Sequence, residues 1–279
     1  MRIDLHTHSA VSDGTEAPAE LMAAAVAAGL DAVALTDHDT VLGWAEAAAA
    51  ATRLGVCLVP GAELTCADGP DSLHLLAYLF DPDHPALARE MALSRDDRVP
   101  RAEEMVRRLA ADGFPVTMAA VRAQTTDATT LGRPHIADAL VAAGVFASRD
   151  QAFATVLRDD SPYYVGHHST PAAVAVRLVR EAGGIPVLAH PRSHRVVTDA
   201  VIAGLTDAGL LGLEVDHPDH DPEARAALRA LAADLGLLVT GSSDYHGTGK
   251  STPIGAETTD PDVYTALLAQ ATGPTTVVA

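Results

Sequence analysis

Short apolar runs and longer amphipathic stretches alternate along most of the chain, which is the pattern of strands followed by helices. The apolar runs predict strands over 2–6, 31–36, 55–64, 73–80, 185–190, 211–216 and 237–244. The helical patterns occupy 17–28, 40–53, 170–182, 199–208, 221–235 and 261–271. Strands separated by helices form parallel β-α-β units, and this number of units suits a closed barrel. We therefore predict an α/β barrel without an internal repeat.

Residues 95–165 interrupt the alternation. Helical patterns over 101–112, 134–143 and 148–157 follow one another here without a convincing strand. The segment is also nearly neutral, with a net charge of −1, whereas the remainder carries −17. We predict a barrel in two parts, 1–94 and 166–279, with 95–165 as an inserted helical subdomain that caps the substrate and tolerates an anion.

The composition indicates a folded protein of a reducing compartment. Hydrophobic residues make up 48% of the 279 residues, and the two cysteines, Cys57 and Cys66, are too few for a disulfide framework. We find neither a signal peptide nor a stretch apolar enough to span a membrane, so we expect a soluble cytoplasmic protein. The net charge of −18 disfavours long nucleic acid as a partner, unless metal ions or a local basic patch supply positive charge.

Histidine and carboxylate residues recur at the ends of the predicted strands. His6 and His8 leave one face of the first strand, because residues i and i+2 point the same way. In a parallel barrel the C-terminal strand ends share one mouth, where such side chains converge. Burying so many polar groups is costly unless ions pair with them, so we predict more than one metal ion. The nine residues are His6, His8, Asp13, His38, Glu63, His74, His190, Asp244 and His246.

The chain resembles the PHP (polymerase and histidinol phosphatase) family in the ordered motifs DLHTHSAVSDG, ALTDHDT, GAEL, LAHPR and GSSDYHG. LGRPHIADAL further resembles the branch of stand-alone phosphoesterases that act on nucleotides. The resemblance implies a distorted seven-stranded β/α barrel with three divalent ions. By that pattern the first ion is bound by His6, His8, Glu63 and Asp244, the second by Asp13, His38 and His246, and the third by Glu63, His74 and His190.

This set of ligands implies hydrolysis of a phosphate ester. A water that bridges two close ions loses its proton near neutral pH and becomes the nucleophile, held here by Glu63, Asp13 and His246. The ions also neutralise charge on the phosphoryl oxygens. Nitrogen and oxygen ligands without thiolate suit two to three ions of Mn, Fe or Zn.

Basic side chains outside the nine positions are candidates for binding the phosphate of the substrate. Arg133 and His135 lie in a Gly-Arg-Pro-His turn at the start of a predicted helix, where an arginine and the helix N-terminus can both face an anion. The family resemblance favours Arg98 as a further phosphate contact, although ion pairing on a helix surface explains Arg98 equally well. Lys250, the only lysine, is either a phosphate ligand or a solvated loop charge.

Other polar residues receive less specific expectations. The family has a lysine after its Tyr-Val segment, and His167 is the candidate for its place in this chain. We expect Arg101 on a helix surface, and His84, His217 and His220 in solvated loops rich in proline and aspartate.

We predict a metal-dependent phosphatase acting on a phosphomonoester of a nucleotide, either a nucleoside 3′,5′-bisphosphate or a nucleoside 5′-monophosphate. A 5′–3′ exonuclease on short RNA and a histidinol-phosphate phosphatase stay open as alternatives, because they share the metal site. A binuclear amidohydrolase or deaminase with a carbamylated lysine is disfavoured, because Lys250 cannot serve as the bridging lysine of such enzymes. A non-catalytic PHP module would have gaps in the ligand set, and all nine positions are filled.

Overall fold

The computed structural model describes residues 1–69, 71–125, 129–193 and 196–279, and its strands form one sheet. The strands are β1 (Ile3–Asp4), β2 (Ala32–Leu35), β3 (Cys57–Asp68), β4 (Asp71–Tyr78), β5 (Thr170–Pro171), β6 (Ile185–Leu188), β7 (Gly212–Asp216) and β8 (Leu238–Gly241). Seven of them follow one another in the order β1-β2-β3-β4-β6-β7-β8, and β5 lies off this path, paired with β3.

The two ends of this sheet approach each other. Thr7, beyond β1, forms a parallel bridge with Tyr245, beyond β8, and the His8 backbone N–H donates to the Tyr245 carbonyl at 2.8 Å. Most strand residues are buried on both faces of the sheet, which helices cover, and Ile3 and Val33 are fully buried. The predicted α/β barrel of seven strands is therefore confirmed.

The direction of β4 differs from the predicted all-parallel arrangement. β3 and β4 pair antiparallel from Gly61 with Tyr78 to Asp68 with Asp71, and β4 is also antiparallel to β6. Only two residues separate β3 from β4, too few for the crossover that a parallel pair requires. Because β4 runs in the opposite direction, its N-terminal half lies at the same end of the barrel as the C-terminal ends of the parallel strands.

Helices cover the sheet and fill the region between β4 and β5. In the described part of the chain they are α1 (Pro18–Ala27), α2 (Trp44–Leu54), α3 (Pro85–Ala111), α4 (Met118–Arg122), α5 (Arg133–Ala142), α6 (Arg149–Phe153), α7 (Ala172–Glu181), α8 (Asp199–Asp207), α9 (Pro222–Leu235) and α10 (Pro261–Leu268). None of these helices has the length and apolar character needed to cross a lipid bilayer.

α3 is much longer than the helix predicted over 101–112. It begins at Pro85, a residue suited to the first helical position, and continues through Pro100. Its first part is anchored by Leu87 in the barrel core, and its last part by Leu109 in a separate hydrophobic cluster. α3 therefore connects the two hydrophobic clusters as one continuous helix. It passes through residue 95, where we predicted the insert to begin.

Other helix limits differ by less. α2 begins at Trp44 rather than at residue 40, and α6 ends at Phe153 rather than at residue 157. The residues after α6 form turns, in which the Leu157 N–H donates to the Ala152 carbonyl instead of continuing the helical ladder. α4 was not predicted, because five residues are too few to show a helical period.

The helical segment (residues 101–165) has a hydrophobic core of its own. Met105, Ile136 and Leu140 are fully buried in this cluster, which is separate from the clusters of the barrel. The assignment of 95–165 to an inserted subdomain stays a prediction.

Candidate metal centre

The nine predicted histidine and carboxylate residues meet at one end of the barrel. His6 and His8 follow β1, and their Nε2 atoms lie 3.0 Å apart between fully buried rings. His38 follows β2 and forms a parallel bridge with Glu63 of β3. His74 belongs to the N-terminal half of β4, so it reaches this end because that strand runs in the opposite direction. The barrel geometry thus brings together residues that are far apart in the sequence.

Four sets of these side chains each offer ligand atoms within 4.8 Å of one another. The sets are His8, Asp13, His38 and His246; His6, Glu63 and His190; His6, His8 and Asp244; and His38, Glu63 and His74. Asp13, His38 and His246 lie together, as the family pattern implies for one ion. His74 and His190 fall in different sets that share Glu63, so the division of the ligands among ions stays a prediction.

Glu63 lies between two groups of histidines. Its Oε1 atom is 2.7 Å from His74 Nδ1 and 3.0 Å from His190 Nε2. Its Oε2 atom is 3.1 Å from the Nε2 atoms of both His6 and His8. Each oxygen therefore faces a different part of the cluster, which is the arrangement that a bridging carboxylate requires.

The carboxylates of the cluster raise the pKa values of two buried histidines. Burial opposes a charge on His6, but Glu63, Glu214 and Asp244 outweigh it and raise the pKa of His6 well above its usual value. Burial likewise opposes a charge on His8, and its carboxylate neighbours raise its pKa to about 9. The carboxylates of the cluster therefore strongly favour positive charge in their midst.

The carboxylates show the complementary shift. Burial acts to raise the pKa of Asp13, Glu63 and Asp244, but the neighbouring histidines, and Lys250 for Asp244, hold all three well below the usual range. Burial lowers the pKa of His38 to about 3, so this imidazole stays in the neutral form that binds metals.

These residues fit divalent cations. His38 Nδ1 is buried and has no hydrogen-bond partner in the described ranges, which leaves a nitrogen lone pair or N–H aimed into the cluster. Three buried carboxylates and six imidazoles within bonding distance of common points form a donor set typical of Mn, Fe or Zn.

A buried carboxylate outside the nine residues, that of Glu214, orients His6 and His190. Glu214, in β7, accepts from His6 Nδ1 at 3.0 Å and from the His190 backbone N–H at 2.7 Å, because, against the effect of burial, its neighbours lower the pKa of this carboxyl to about 2. The contact to His6 Nδ1 directs the Nε2 atom of that ring toward the cluster. Sequence reasoning missed Glu214, although a single acid within the apolar run LGLEVD was a usable signal.

The backbone is left-handed at three non-glycine positions around the candidate metal centre. The φ angles are 52° at Asp39, 27° at His190 and 51° at Asp244, values that non-glycine residues rarely adopt. Each such residue costs on the order of 1–3 kcal/mol, which the surrounding structure must offset. Two of the three are predicted metal ligands. In the described part of the chain one further non-glycine residue has a positive φ, Leu79 at 55°, directly after β4.

The predicted substrate residues lie around this cluster in different environments. Arg98 donates to Asp39 Oδ2 at 2.6 Å and to Thr65 Oγ1 at 2.8 Å, and its Nε has no partner among the residues described. His135 is buried and accepts the Gly132 backbone N–H at 3.0 Å. The Lys250 side chain is 38% exposed, and its ammonium group pairs with Asp244.

Arg133 and Arg101 both lie over one aromatic ring, that of Tyr164. Both guanidinium carbons are 5.3 Å from the Tyr164 ring centroid, a cation–π distance. Arg133 donates to the Leu157 carbonyl at 2.9 Å and pairs with Asp159, whereas Arg101 donates through Nε to the Val165 carbonyl. Arg101 is buried, so its predicted place on a helix surface was wrong.

Arg98, Arg101 and Arg133 form what we call the arginine cluster. Burial and the charge of Arg133 lower the pKa of Arg101 to about 10. Burial and the charges of Arg101 and Arg98 also lower the pKa of His167 to about 3, so His167 is neutral beside the cluster. These groups repel one another, and a bound anion would relieve the repulsion.

His217 and His220 are buried, and the prediction that they lie in solvated loops was wrong. Only 1% of His217 and 3% of His220 are exposed. His217 Nε2 lies 3.5 Å from Asp244 Oδ2, at the edge of the candidate metal centre. His217 follows β7 closely, as several of the predicted ligands follow their strands, and this position was the missed signal. His84 is half-buried at the start of α3, where its ring accepts the Leu87 N–H.

A cavity of about 750 Å³ adjoins the centre between the helical segment and the barrel loops. His135, Asp138 and Arg149 line it on one side, and Thr15 and Lys250 on the other. Its volume lies within the range of small-molecule sites.

Comparisons with known proteins agree with this geometry. A family model described as the PHP domain matches residues 4–84. A 3′,5′-nucleoside bisphosphate phosphatase from Chromobacterium violaceum is 33% identical over 89% of this chain and 88% of its own length. A 5′-3′ exoribonuclease from Haemophilus influenzae is 30% identical over 88% and 90% of the two chains. A phosphoribosyl 1,2-cyclic phosphate 1,2-diphosphodiesterase from Eggerthella lenta is 31% identical over 88% and 94%.

Two solved structures match over nearly their whole length. A chain from Bifidobacterium adolescentis, assigned as a metal-dependent phosphoesterase, has a TM-score of 0.93 and 41% identity over 98% of this chain and 97% of its own. A chain from Chromobacterium violaceum, described as an amidohydrolase with bound sulfate and no metal, has a TM-score of 0.88 and 31% identity over 98% of both chains.

Proposed function

The chain belongs to the PHP family of metal-dependent phosphoesterases, and from this premise we propose that it removes a phosphate group from a nucleotide. The proposed substrate is a nucleoside 3′,5′-bisphosphate or a nucleoside 5′-monophosphate. The observation that carries this proposal is the arginine cluster beside the candidate metal centre, because it offers a second site for an anion. The relative named as a nucleoside bisphosphate phosphatase supports the same substrate class.

The nine side chains would hold two to three divalent ions of Mn, Fe or Zn. When bound, such ions neutralise charge on phosphoryl oxygens and lower the pKa of nearby water. Glu63 would offer one oxygen to each of two histidine groups, and its catalytic role with Asp13 and His246 is part of the proposal. Glu214 keeps the His6 ring turned so that Nε2 faces the centre.

The arginine cluster would bind a second phosphate or the phosphate that is cleaved. Arg133 has one guanidinium nitrogen bound to Leu157 and Asp159, and the aromatic stacking on Tyr164 holds its plane in place. A guanidinium fixed in this way loses little freedom when it binds an anion, so it binds phosphate more effectively than a flexible lysine would. Arg98, fixed by Asp39, links the cluster to the barrel.

The cavity beside the centre supports a substrate with a nucleoside part. It is bordered by uncharged polar residues such as Thr15 and Ser148 and by small apolar residues such as Ala142. The charges of its lining balance, since Arg149 and Lys250 are matched by Asp138 and Asp150. Such a lining suits a sugar and a base better than another phosphate.

The cytoplasmic location also belongs to this proposal. Both cysteines are free, as expected in a reducing compartment.

The test is a screen of phosphate release by the metal-loaded enzyme. The substrates are nucleoside 3′,5′-bisphosphates, nucleoside 5′-monophosphates, histidinol phosphate, a generic aryl phosphate and short RNA with a 5′ phosphate. We expect kcat/KM for the best nucleotide to exceed that for the aryl phosphate by about tenfold or more, because one added charged hydrogen bond contributes about that much.

The alternatives give different patterns. Release of mononucleotides from short RNA, faster than phosphate release from any mononucleotide, would favour a 5′–3′ exonuclease. A clear preference for histidinol phosphate would contradict the nucleotide proposal.

A further inference from the structure

Two buried histidines follow β7 at the edge of the candidate metal centre, and their ring nitrogens are not equally satisfied. His220 donates from Nδ1 to the Val215 carbonyl at 2.9 Å and accepts the Arg192 backbone N–H on Nε2 at 3.1 Å. Both nitrogens of His220 are therefore used within the protein, and this ring has a structural role.

His217 has one satisfied nitrogen and one that is not. Its Nδ1 accepts the Asp219 backbone N–H at 3.1 Å, so the neutral ring carries its proton on Nε2. Nε2 is buried and has no hydrogen-bond partner in the part of the chain that the structure describes. A buried N–H without a partner is costly, and its persistence calls for an acceptor that arrives from outside the chain.

The groups around the Nε2–H of His217 indicate which hydrogen-bond acceptor could reach it. Nε2 lies 3.5 Å from Asp244 Oδ2, too far for a good hydrogen bond, and that oxygen already accepts from Lys250. The His217 ring centroid is 5.3 Å from that of His190. Nε2 thus faces the predicted ligand Asp244, and the His217 ring lies beside that of His190. This is the edge of the centre at which a bound phosphoryl group would present oxygen atoms.

We propose that His217 binds the substrate, donating its Nε2–H to a non-bridging oxygen of the phosphoryl group that is cleaved. The inference rests on the proposed phosphatase function, but it does not depend on which nucleotide is the substrate. The same tautomer argues against His217 as a metal ligand, because a protonated nitrogen has no lone pair for an ion.

The test compares two amides at this position. In His217→Gln the amide nitrogen is four bonds from Cα, as Nε2 of histidine is. This variant can therefore keep an N–H donor at the position of Nε2. His217→Asn ends at the distance of Nδ1, so it can keep the contact to the Asp219 N–H but loses the donor. His220→Asn is the matched control, because it removes a buried imidazole from the same loop without removing an unpaired donor.

We expect His217→Asn to lower kcat/KM by about 10- to 100-fold relative to His220→Asn, the usual effect of one charged hydrogen bond. His217→Gln should recover part of the loss. The loss should be equal for a nucleotide and for an aryl phosphate, because both carry the phosphoryl group. Metal content, measured by elemental analysis, should not change.

Binding of inorganic phosphate to the metal-loaded protein, measured by calorimetry, is the second readout. We expect weaker phosphate binding in His217→Asn and wild-type metal content in the same sample. If the wild-type enzyme bound phosphate but released it from none of the tested nucleotides, the proposed function would be overturned. The comparison of phosphate binding in wild type and His217→Asn would then still test the role of His217.

Three results would overturn the inference on His217. Loss of metal in His217→Asn would make it a ligand or a support for one. Unchanged kinetics and phosphate binding would leave it without a role toward the substrate. Equal losses in His217→Asn, His217→Gln and His220→Asn, with equal drops in Tm, would reduce it to a structural residue of the loop.

Discussion

The mouth of the barrel and the helical segment beside it present opposite charges by different means. At the mouth, each histidine or carboxylate follows a strand or belongs to one, so the hydrogen-bonded ladder sets its position. In the helical segment, Arg101 and Arg133 are held by carbonyl groups, an aspartate and the Tyr164 ring, each from a different stretch of chain. Strand hydrogen bonds therefore fix the residues at the mouth, whereas the positions of Arg101 and Arg133 depend on how the helices pack.

This difference teaches where chemistry and selectivity reside. A cluster of buried carboxylates and imidazoles needs cations, and a cluster of three arginines, two of them paired with aspartates, favours a further anion. Changes at the mouth should therefore alter metal content and the rate on every substrate. Changes in the helical segment should alter the preference among substrates and leave the metals in place.

The largest effect is expected at Glu63, which faces both histidine groups. Glu63→Gln should reduce metal content and lower kcat by more than about 100-fold, beyond the usual effect of changing a residue that only supports a ligand. Elemental analysis and kinetics on two substrates check it. Glu214→Gln, which changes the support of His6 and His190 but removes no predicted ligand, should lower activity by about 10- to 100-fold. Full metal content and rate in Glu63→Gln would show that Glu63 does not bridge ions.

An intermediate effect is expected at Arg133. Arg133→Ala should lower kcat/KM for the nucleotide by about 10- to 150-fold with unchanged metal content, because a charged hydrogen bond is lost. Arg133→Lys should restore it in part, since lysine lacks the planar fork. The loss should be smaller on an aryl phosphate, which has no second anion. Arg158→Ala, an exposed arginine of the same segment, is the control. Equal losses on both substrates would move Arg133 to the phosphate that is cleaved.

The smallest effect is expected at His167 and concerns stability. The folded protein keeps His167 neutral with a pKa of about 3, whereas in the unfolded chain its pKa is near 6.5. The unfolded state therefore binds the extra proton, and stability is lost as pH falls from 6.5 toward 3. His167→Gln should remove up to about 1.4 kcal/mol of this loss per pH unit. Urea unfolding of both proteins between pH 7.5 and 5 measures it, and identical pH profiles would contradict the assignment.

The mouth could be predicted from the sequence to a greater extent than its surroundings. His6, His8, Asp244 and His246 follow short apolar runs, and local pattern is enough to place strand ends. The antiparallel direction of β4 was not predicted, because the strand pattern in a sequence does not show in which direction a strand runs. His74 of this strand lies at the mouth, but the reason for which we predicted it there applies only to parallel strands.

The residues that were missed depend on contacts across long stretches of sequence. Arg101 is buried because Tyr164 and Val165 pack over α3, more than 60 residues further along the chain. His217 is buried because the loop after β7 folds back against Asp244. No periodicity within a window of 20 residues contains such information, so charge and loop composition led to the wrong environment.

The continuity of α3 limits where the chain can be recombined. A helix of 27 residues is about 40 Å long, and here one end belongs to the barrel core and the other to the core of the helical segment. A hybrid enzyme that exchanges substrate selectivity by joining two relatives at residue 95 would fuse two unrelated halves of one helix and separate Leu87 from Arg98. A junction before Pro85 would transfer the whole helix, with Arg98 and Arg101 in register. Its Leu87 would then have to fit the recipient barrel, so laboratory exchange of selectivity must include a few barrel residues as well.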